Sequence, residues 1–153
     1  MVMARATPDQ ALETLRVAAG DGRLSRLCEQ AGIGLLVAFG SAARGEAAPA
    51  DLDLAYAADG TGGVDDSVGV DDSVGVDVRA AAVALMDLAA TDAIDLLDLD
   101  RAGTVATARA LGHCVPLYES VEGRFAADQV RAALQFADTQ WLRTLQLQAL
   151  AGA

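Results

Sequence analysis

The stretch Asp51-Leu52-Asp53-Leu54 constrains this chain more than any other feature. Acid and leucine alternate with a period of two, which a strand turns into one apolar and one acidic face. It reads as a strand from Asp51 to Ala58, with the carboxylates of Asp51 and Asp53 leaving the same side. Upstream, Ile33 to Phe39 is a continuous apolar run flanked by glycines, the pattern of a buried strand. A third acid, Asp95, sits inside the apolar Ala-Ile-Asp-Leu-Leu segment of a further predicted strand, Ala93 to Leu99. Where these strands are neighbours, three carboxylates converge at one end of a sheet. Like charges packed that closely raise each other's pKa unless a cation neutralises them. Three hard oxygen donors with open positions suit Mg²⁺, which takes carboxylates together with substrate phosphates. A solvent-facing strand edge is the plainer alternative. Asp98 is expected on the opposite face from Asp95 and Asp100 at the strand end, so Asp95 is the third acid of choice.

The other elements follow from periodicity and punctuation. Thr7-Pro8 starts a helix that Gly20 ends, and Asp21 can cap a second one carrying Leu24, Leu27, Cys28 and Ala31. Gly40 to Ala50 is a small-residue loop with room for one helical turn. Val78 to Ala89 predicts a helix facing the core, and Thr104 to Leu111 a shorter one. Cys114 to Tyr118 predicts a strand. A long helix from about Phe125 to Leu150 closes the chain. Its residues Val130, Leu134, Ala137, Trp141 and Leu145 form one stripe that can cover the sheet. Phe136, Leu147 and Leu150 form a second apolar face, which suits a partner; a helix tucked between the core and neighbouring loops is the alternative. The order predicts one α/β domain with a small mixed sheet.

Charge narrows the function. The chain carries 22 acids against 11 basic residues, a net of -11, and every basic residue is Arg. Lysine nucleophiles and a P-loop lysine are excluded, and the acidity argues against direct nucleic-acid binding, which needs basic residues on phosphates. No apolar run reaches a membrane span, and the N-terminus lacks a secretory stretch, so a cytoplasmic protein is expected. Cys28 and Cys114 form no zinc motif, and His113 has no nucleophile elbow beside it. Val-Asp-Asp-Ser-Val-Gly occurs twice in tandem at 64–69 and 70–75. Two copies are too few for a solenoid and lack EF-hand spacing. A mobile acidic loop at 60–77 is expected.

Between the buried run and the acid pair lies Phe39-Gly40-Ser41-Ala42-Ala43-Arg44-Gly45. Glycine after a buried strand lets a phosphate approach the backbone, and Ser41 offers a hydroxyl and an N–H. Nine residues separate Ser41 from Asp51. Gly40-Ser41 followed by Asp51-Leu52-Asp53 resembles the signature of the DNA-polymerase-β-like nucleotidyltransferase superfamily. The stretch from Phe39 to Leu54, with Ile94-Asp95-Leu96-Leu97-Asp98-Leu99 and Val115-Pro116-Leu117-Tyr118-Glu119, resembles its minimal nucleotidyltransferase (MNT) branch. The likeness runs from about residue 10 to the C-terminus. Ala50 departs from it, standing where a serine commonly precedes the acid pair.

This resemblance implies a single nucleotidyltransferase domain over residues 1–153, of α/β (α+β) class, with a long C-terminal helix. It implies that Asp51, Asp53 and Asp95 are catalytic and hold two Mg²⁺ ions, and that Gly40, Ser41 and Arg44 bind the phosphates of ATP. A structural place for Arg44 on the helix is the alternative. It further implies an antitoxin that transfers AMP to a tyrosine of a HEPN-domain RNase toxin. Two other readings use the same sequence: a small-molecule nucleotidyltransferase, aminoglycoside-directed for example, and an antitoxin that acts by binding alone.

Overall fold

A computed structural model describes residues 5–60 and 76–152, so the tandem repeat lies outside the described residues. Helix α1 (Pro8–Gly20) begins where the sequence places it. Thr7 Oγ1 accepts from the Gln10 amide, and Gln10 Oε1 accepts from the Thr7 amide, a reciprocal cap that satisfies two free helix-end donors. Helix α2 (Arg23–Ala31) follows, then strand β1 (Ile33–Phe39) and a single turn, α3 (Gly40–Ala43). Strand β2 (Leu52–Ala58) leads through α4 (Val78–Ala89) to β3 (Ile94–Asp98), and α5 (Thr104–Gly112) to β4 (Val115–Glu119). Helices α6 (Arg124–Asp138) and α7 (Gln140–Ala151) end the chain.

The four strands lie in the order β3-β2-β1-β4. Strand β1 pairs antiparallel with β2 and β4, while β2 and β3 are parallel across the α4 crossover, so the sheet is mixed as expected. The unbroken apolar run of β1 follows from its position. Leu35, Leu36, Val37 and Ala38 are fully buried because helices cover both faces. One layer packs α1, α2 and α4 against Leu36, Ala38, Leu52, Leu54 and Tyr56. The other packs α5 and α6 against Leu35, Val37, Ala55 and Ala57 through Ala110, Leu111 and Ala132. Each fully buried leucine contributes about 1.5–3 kcal/mol of transfer free energy. Among the described residues no helix is long and apolar enough to cross a membrane.

The C-terminal region departs from expectation twice. The long helix is kinked at Thr139, where φ is -95° and ψ is 1°. Thr139 Oγ1 donates to Gln135 O, and Arg143 Nη2 donates to Phe136 O, so carbonyls of the last α6 turn bond side chains. Such back-bonding bends helices. The stripe Val130–Leu134–Ala137–Trp141–Leu145 does not cover the sheet. Val130, Leu134, Trp141 and Leu145 are each more than half exposed. The inward face of α6 instead carries Phe125, Gln129 and Ala132. Gln129 Nε2 donates to Leu111 O at 2.7 Å, so a polar residue occupies a core-facing position.

Candidate nucleotidyl-transfer site

The two strand faces divide the acids by role. Residues 53, 55 and 57 of β2 face the α5–α6 layer, whereas 52, 54 and 56 face the α1–α2–α4 layer. In the parallel ladder Asp53 stands opposite Asp95, and Tyr56 opposite Asp98. Asp53 and Asp95 are therefore neighbours on one face, and Asp98 lies on the other. Asp51 sits in the bend just ahead of β2, not within the strand, at the mouth of the same end.

Asp98 and Asp100 use their oxygens on the protein itself. Asp98 Oδ1 accepts from the Asp100 amide at 3.0 Å, and Asp100 Oδ2 accepts from the Ala58 amide at 2.8 Å, tying the end of β2 to the turn after β3. No ion pair among the described residues involves Asp51, Asp53 or Asp95. Partial burial, and then the negative charges of Asp95 and Asp51, push the Asp53 carboxyl above its ordinary range; Arg44 opposes them. Clustered carboxylates with free lone pairs form a hard-oxygen donor set that a divalent cation would relieve. Asp51 and Asp95 remain exposed, and the described residues close no group of three acidic, His or Cys side chains around a metal position. The donor chemistry fits Mg²⁺ with open positions left to a substrate.

Gly40 connects these acids to the turn that follows β1. Phe39 pairs with Asp53 across β1 and β2, so the chain turns out of β1 directly beside that carboxylate. The turn needs φ of +74° at Gly40. A Cβ there would collide with Asp53 Oδ2 and lie 3.1 Å from its Cγ. Glycine thus permits both the left-handed conformation and the close approach. Ser41 is the second residue of the α3 turn. Arg44 closes it, its side chain held by Glu46 Oε1 at 2.6 Å. The pair is half exposed and worth little on its own, so Arg44 can exchange Glu46 for another anion.

A cleft of about 750 Å³ opens next to the acids, walled by Phe39 and Leu97 on the sheet and by α5 and α7. Its charged lining is Arg109 and Arg143, and no acid lines it. Sequence reasoning assigned neither arginine to the site. The only signal was their place on helices that pack over the acidic sheet face, which periodicity alone does not reveal. Outside the site, burial and then Glu29 push the Cys28 thiol up to about 12, which leaves it an unreactive core side chain.

No family model matches the chain, and no curated protein does. Solved structures match over most of its length. A toxin–antitoxin crystal structure with AMP-PNP aligns with a TM-score of 0.62 at 19% identity, over 86% of this chain and 98% of the other. A structure of tri-AMPylated Shewanella oneidensis HEPN toxin in complex with MNT antitoxin gives 0.58 at 18%, over 90% and 98%. A further toxin–antitoxin structure, MntA-HepT, gives 0.57 at 18%, over 86% and 96%. The protein thus has the mixed α/β fold found in these toxin–antitoxin structures.

Proposed function

We propose that this protein is an antitoxin of the MNT type that transfers AMP from ATP to a tyrosine hydroxyl of a cognate HEPN toxin. The observation that carries this reading is the contact of Gly40 with Asp53, opposite Asp95, at the edge of an acid-free cleft. A phosphate loop and a pair of unpartnered carboxylates meet at one point. The neighbours with AMP-PNP and with an AMPylated toxin support nucleotide donor and protein acceptor.

Asp51, Asp53 and Asp95 would hold Mg²⁺, which when bound neutralises the triphosphate and the charge developing on the α-phosphoryl group. Gly40 and Ser41 present backbone and hydroxyl donors to the β- and γ-phosphates. Arg44 leaves Glu46 to join them. The cleft beside Phe39 and Leu97 takes the nucleoside and admits the acceptor side chain. Asp95, an exposed carboxylate opposite Asp53, receives the proton of the acceptor hydroxyl. The hydroxyl oxygen forms a bond to the α-phosphorus, the bond from that phosphorus to the bridging oxygen breaks, and pyrophosphate leaves. One chain of 153 residues carries both catalysis and partner recognition in this reading, with a single domain over 1–153.

The test is co-expression with the cognate toxin, read by intact mass and by growth. Wild type is expected to add AMP mass to a toxin tyrosine and to rescue growth. Asp51→Asn with Asp53→Asn, which removes charge at nearly constant volume, is expected to add none and to rescue poorly. Full rescue by the double variant without modification would replace the enzymatic reading by inhibition through binding alone.

A further inference from the structure

The exposed stripe on α6–α7 has the spacing of a helix-pairing seam. Ala127, Val130, Leu134, Ala137, Trp141 and Thr144 recur at intervals of three and four residues, and all six are exposed. Its α6 part, Ala127 to Ala137, runs for about 15 Å at the helical rise per residue, the stripe continues past the Thr139 break onto α7, and it contains no charge. Ala127, Ala137 and Thr144 leave gaps beside Val130, Leu134 and Trp141, which offers holes between knobs for a facing helix. Helix α7 contributes no buried residue to the described structure. A helix of twelve residues is marginal in water without a packed face. Leu134 at 61% and Trp141 at 60% exposure are large apolar groups at the centre of the seam.

We propose that this seam docks one helix of a cationic partner chain. The spacing selects a helix as the occupant, because only a helix presents side chains at matching intervals along such a length. Charge selects the partner. A second copy would bring two bodies of net -11 together, whereas a basic chain is drawn in by the same field. The proposal rests on the toxin-partner reading above and assigns the surface that this reading leaves open.

Leu134→Glu and Trp141→Glu test it, since both side chains are exposed and their replacement leaves the core intact. Val83→Glu on α4, where Val83 is 58% exposed, is the control for surface charge alone. Each protein is co-expressed with the cognate HEPN toxin, and the complex is measured by light scattering and titration. Magnesium–ATP binding by calorimetry reports the nucleotide site separately. Wild type and Val83→Glu are expected to form the complex, and each seam variant to weaken it roughly tenfold or more, as loss of a central apolar anchor does, with magnesium–ATP binding unchanged. Unaltered toxin affinity in both seam variants overturns the proposal. So does failure of wild type to bind the toxin, or a wild-type homodimer that Leu134→Glu converts to monomer. Complex formation that depends on the seam without any AMP transfer would retain the docking surface and remove the enzymatic reading.

Discussion

Asp53 is the residue on which the chemistry and the stability of this fold meet. Its carboxyl is held above its ordinary range by burial, then by Asp95 and Asp51. The unfolded chain therefore ionises first as pH rises. Folding loses stability through the window between the ordinary carboxylate value and the raised one, and the loss persists at neutral pH. Asp53→Asn is expected to raise the melting temperature at neutral pH. The gain is expected to disappear below the carboxylate range, where the native residue is already neutral. Thermal melts of both proteins from pH 3 to 8 check this. Magnesium with ATP is expected to stabilise the wild type and to leave the variant unmoved, because the variant lacks one of the carboxylates that would hold the metal and so loses the binding. The same residue shows what was legible in the sequence. Alternation in Asp51-Leu52-Asp53-Leu54 gave its face, and the insertion of Asp95 in an apolar run gave its neighbour. The approach of Gly40 needed the register of β1 against β2, which no local pattern encodes.

Among the elements, α6 and α7 were the least legible. Helical periodicity identifies which residues share a face, but not which face meets the protein. The apolar stripe through Leu134 and Trp141 was the natural candidate for the inner side. The structure turns it outward, because α6 approaches α5 through small Ala132 and the polar Gln129, which satisfies Leu111 O. The break at Thr139 was equally hidden, since threonine is ordinary inside a helix. Its cause is side-chain bonding. Arg143 Nη1 donates to Thr139 Oγ1 at 2.6 Å, Nη2 donates to Phe136 O at 2.7 Å, and the guanidinium lies 3.9 Å from the Phe136 ring centroid. Arg143→Ala removes all three contacts. Partly exposed bonds of this kind contribute about 1 kcal/mol, so the global melting transition should move little. The effect is expected in hydrogen exchange, where amides of α7 lose protection while those of β1 and β2 keep theirs. Unchanged exchange in α7 would assign the kink to Thr139 alone.

At the scale of the molecule, the sheet order places β2 and β3 side by side in parallel, and parallel strands require a crossover. Helix α4 is that crossover, capped by Asp77, whose Oδ1 accepts from the Ala80 amide at 3.1 Å. The tandem repeat at 64–75 lies between β2 and this cap in sequence, outside the described residues. The structural requirement on the connection is only that it join Ala58 to Asp77 and leave the cap in place. Deleting residues 64–75 keeps Asp77 and shortens the stretch between β2 and α4, cap included, from nineteen residues to seven. Loop-closure entropy changes with the logarithm of length, so the deletion alters folding free energy by about 1 kcal/mol, in the stabilising direction. It also removes Asp65, Asp66, Asp71 and Asp72 from a chain whose net charge is -11, which lowers self-repulsion. The deleted protein is expected to fold, to melt at or slightly above the wild-type temperature, and to keep its transfer of AMP to the toxin. Its association with a cationic partner is expected to be slower at low salt, because the steering field is weaker, and to match wild type at high salt, where that field is screened. Circular dichroism melts, intact-mass analysis of the toxin and stopped-flow association at two salt concentrations separate these effects. A deleted protein that fails to fold would place the repeat inside the crossover's own structure. One that folds and binds ATP but transfers nothing would place it at the acceptor.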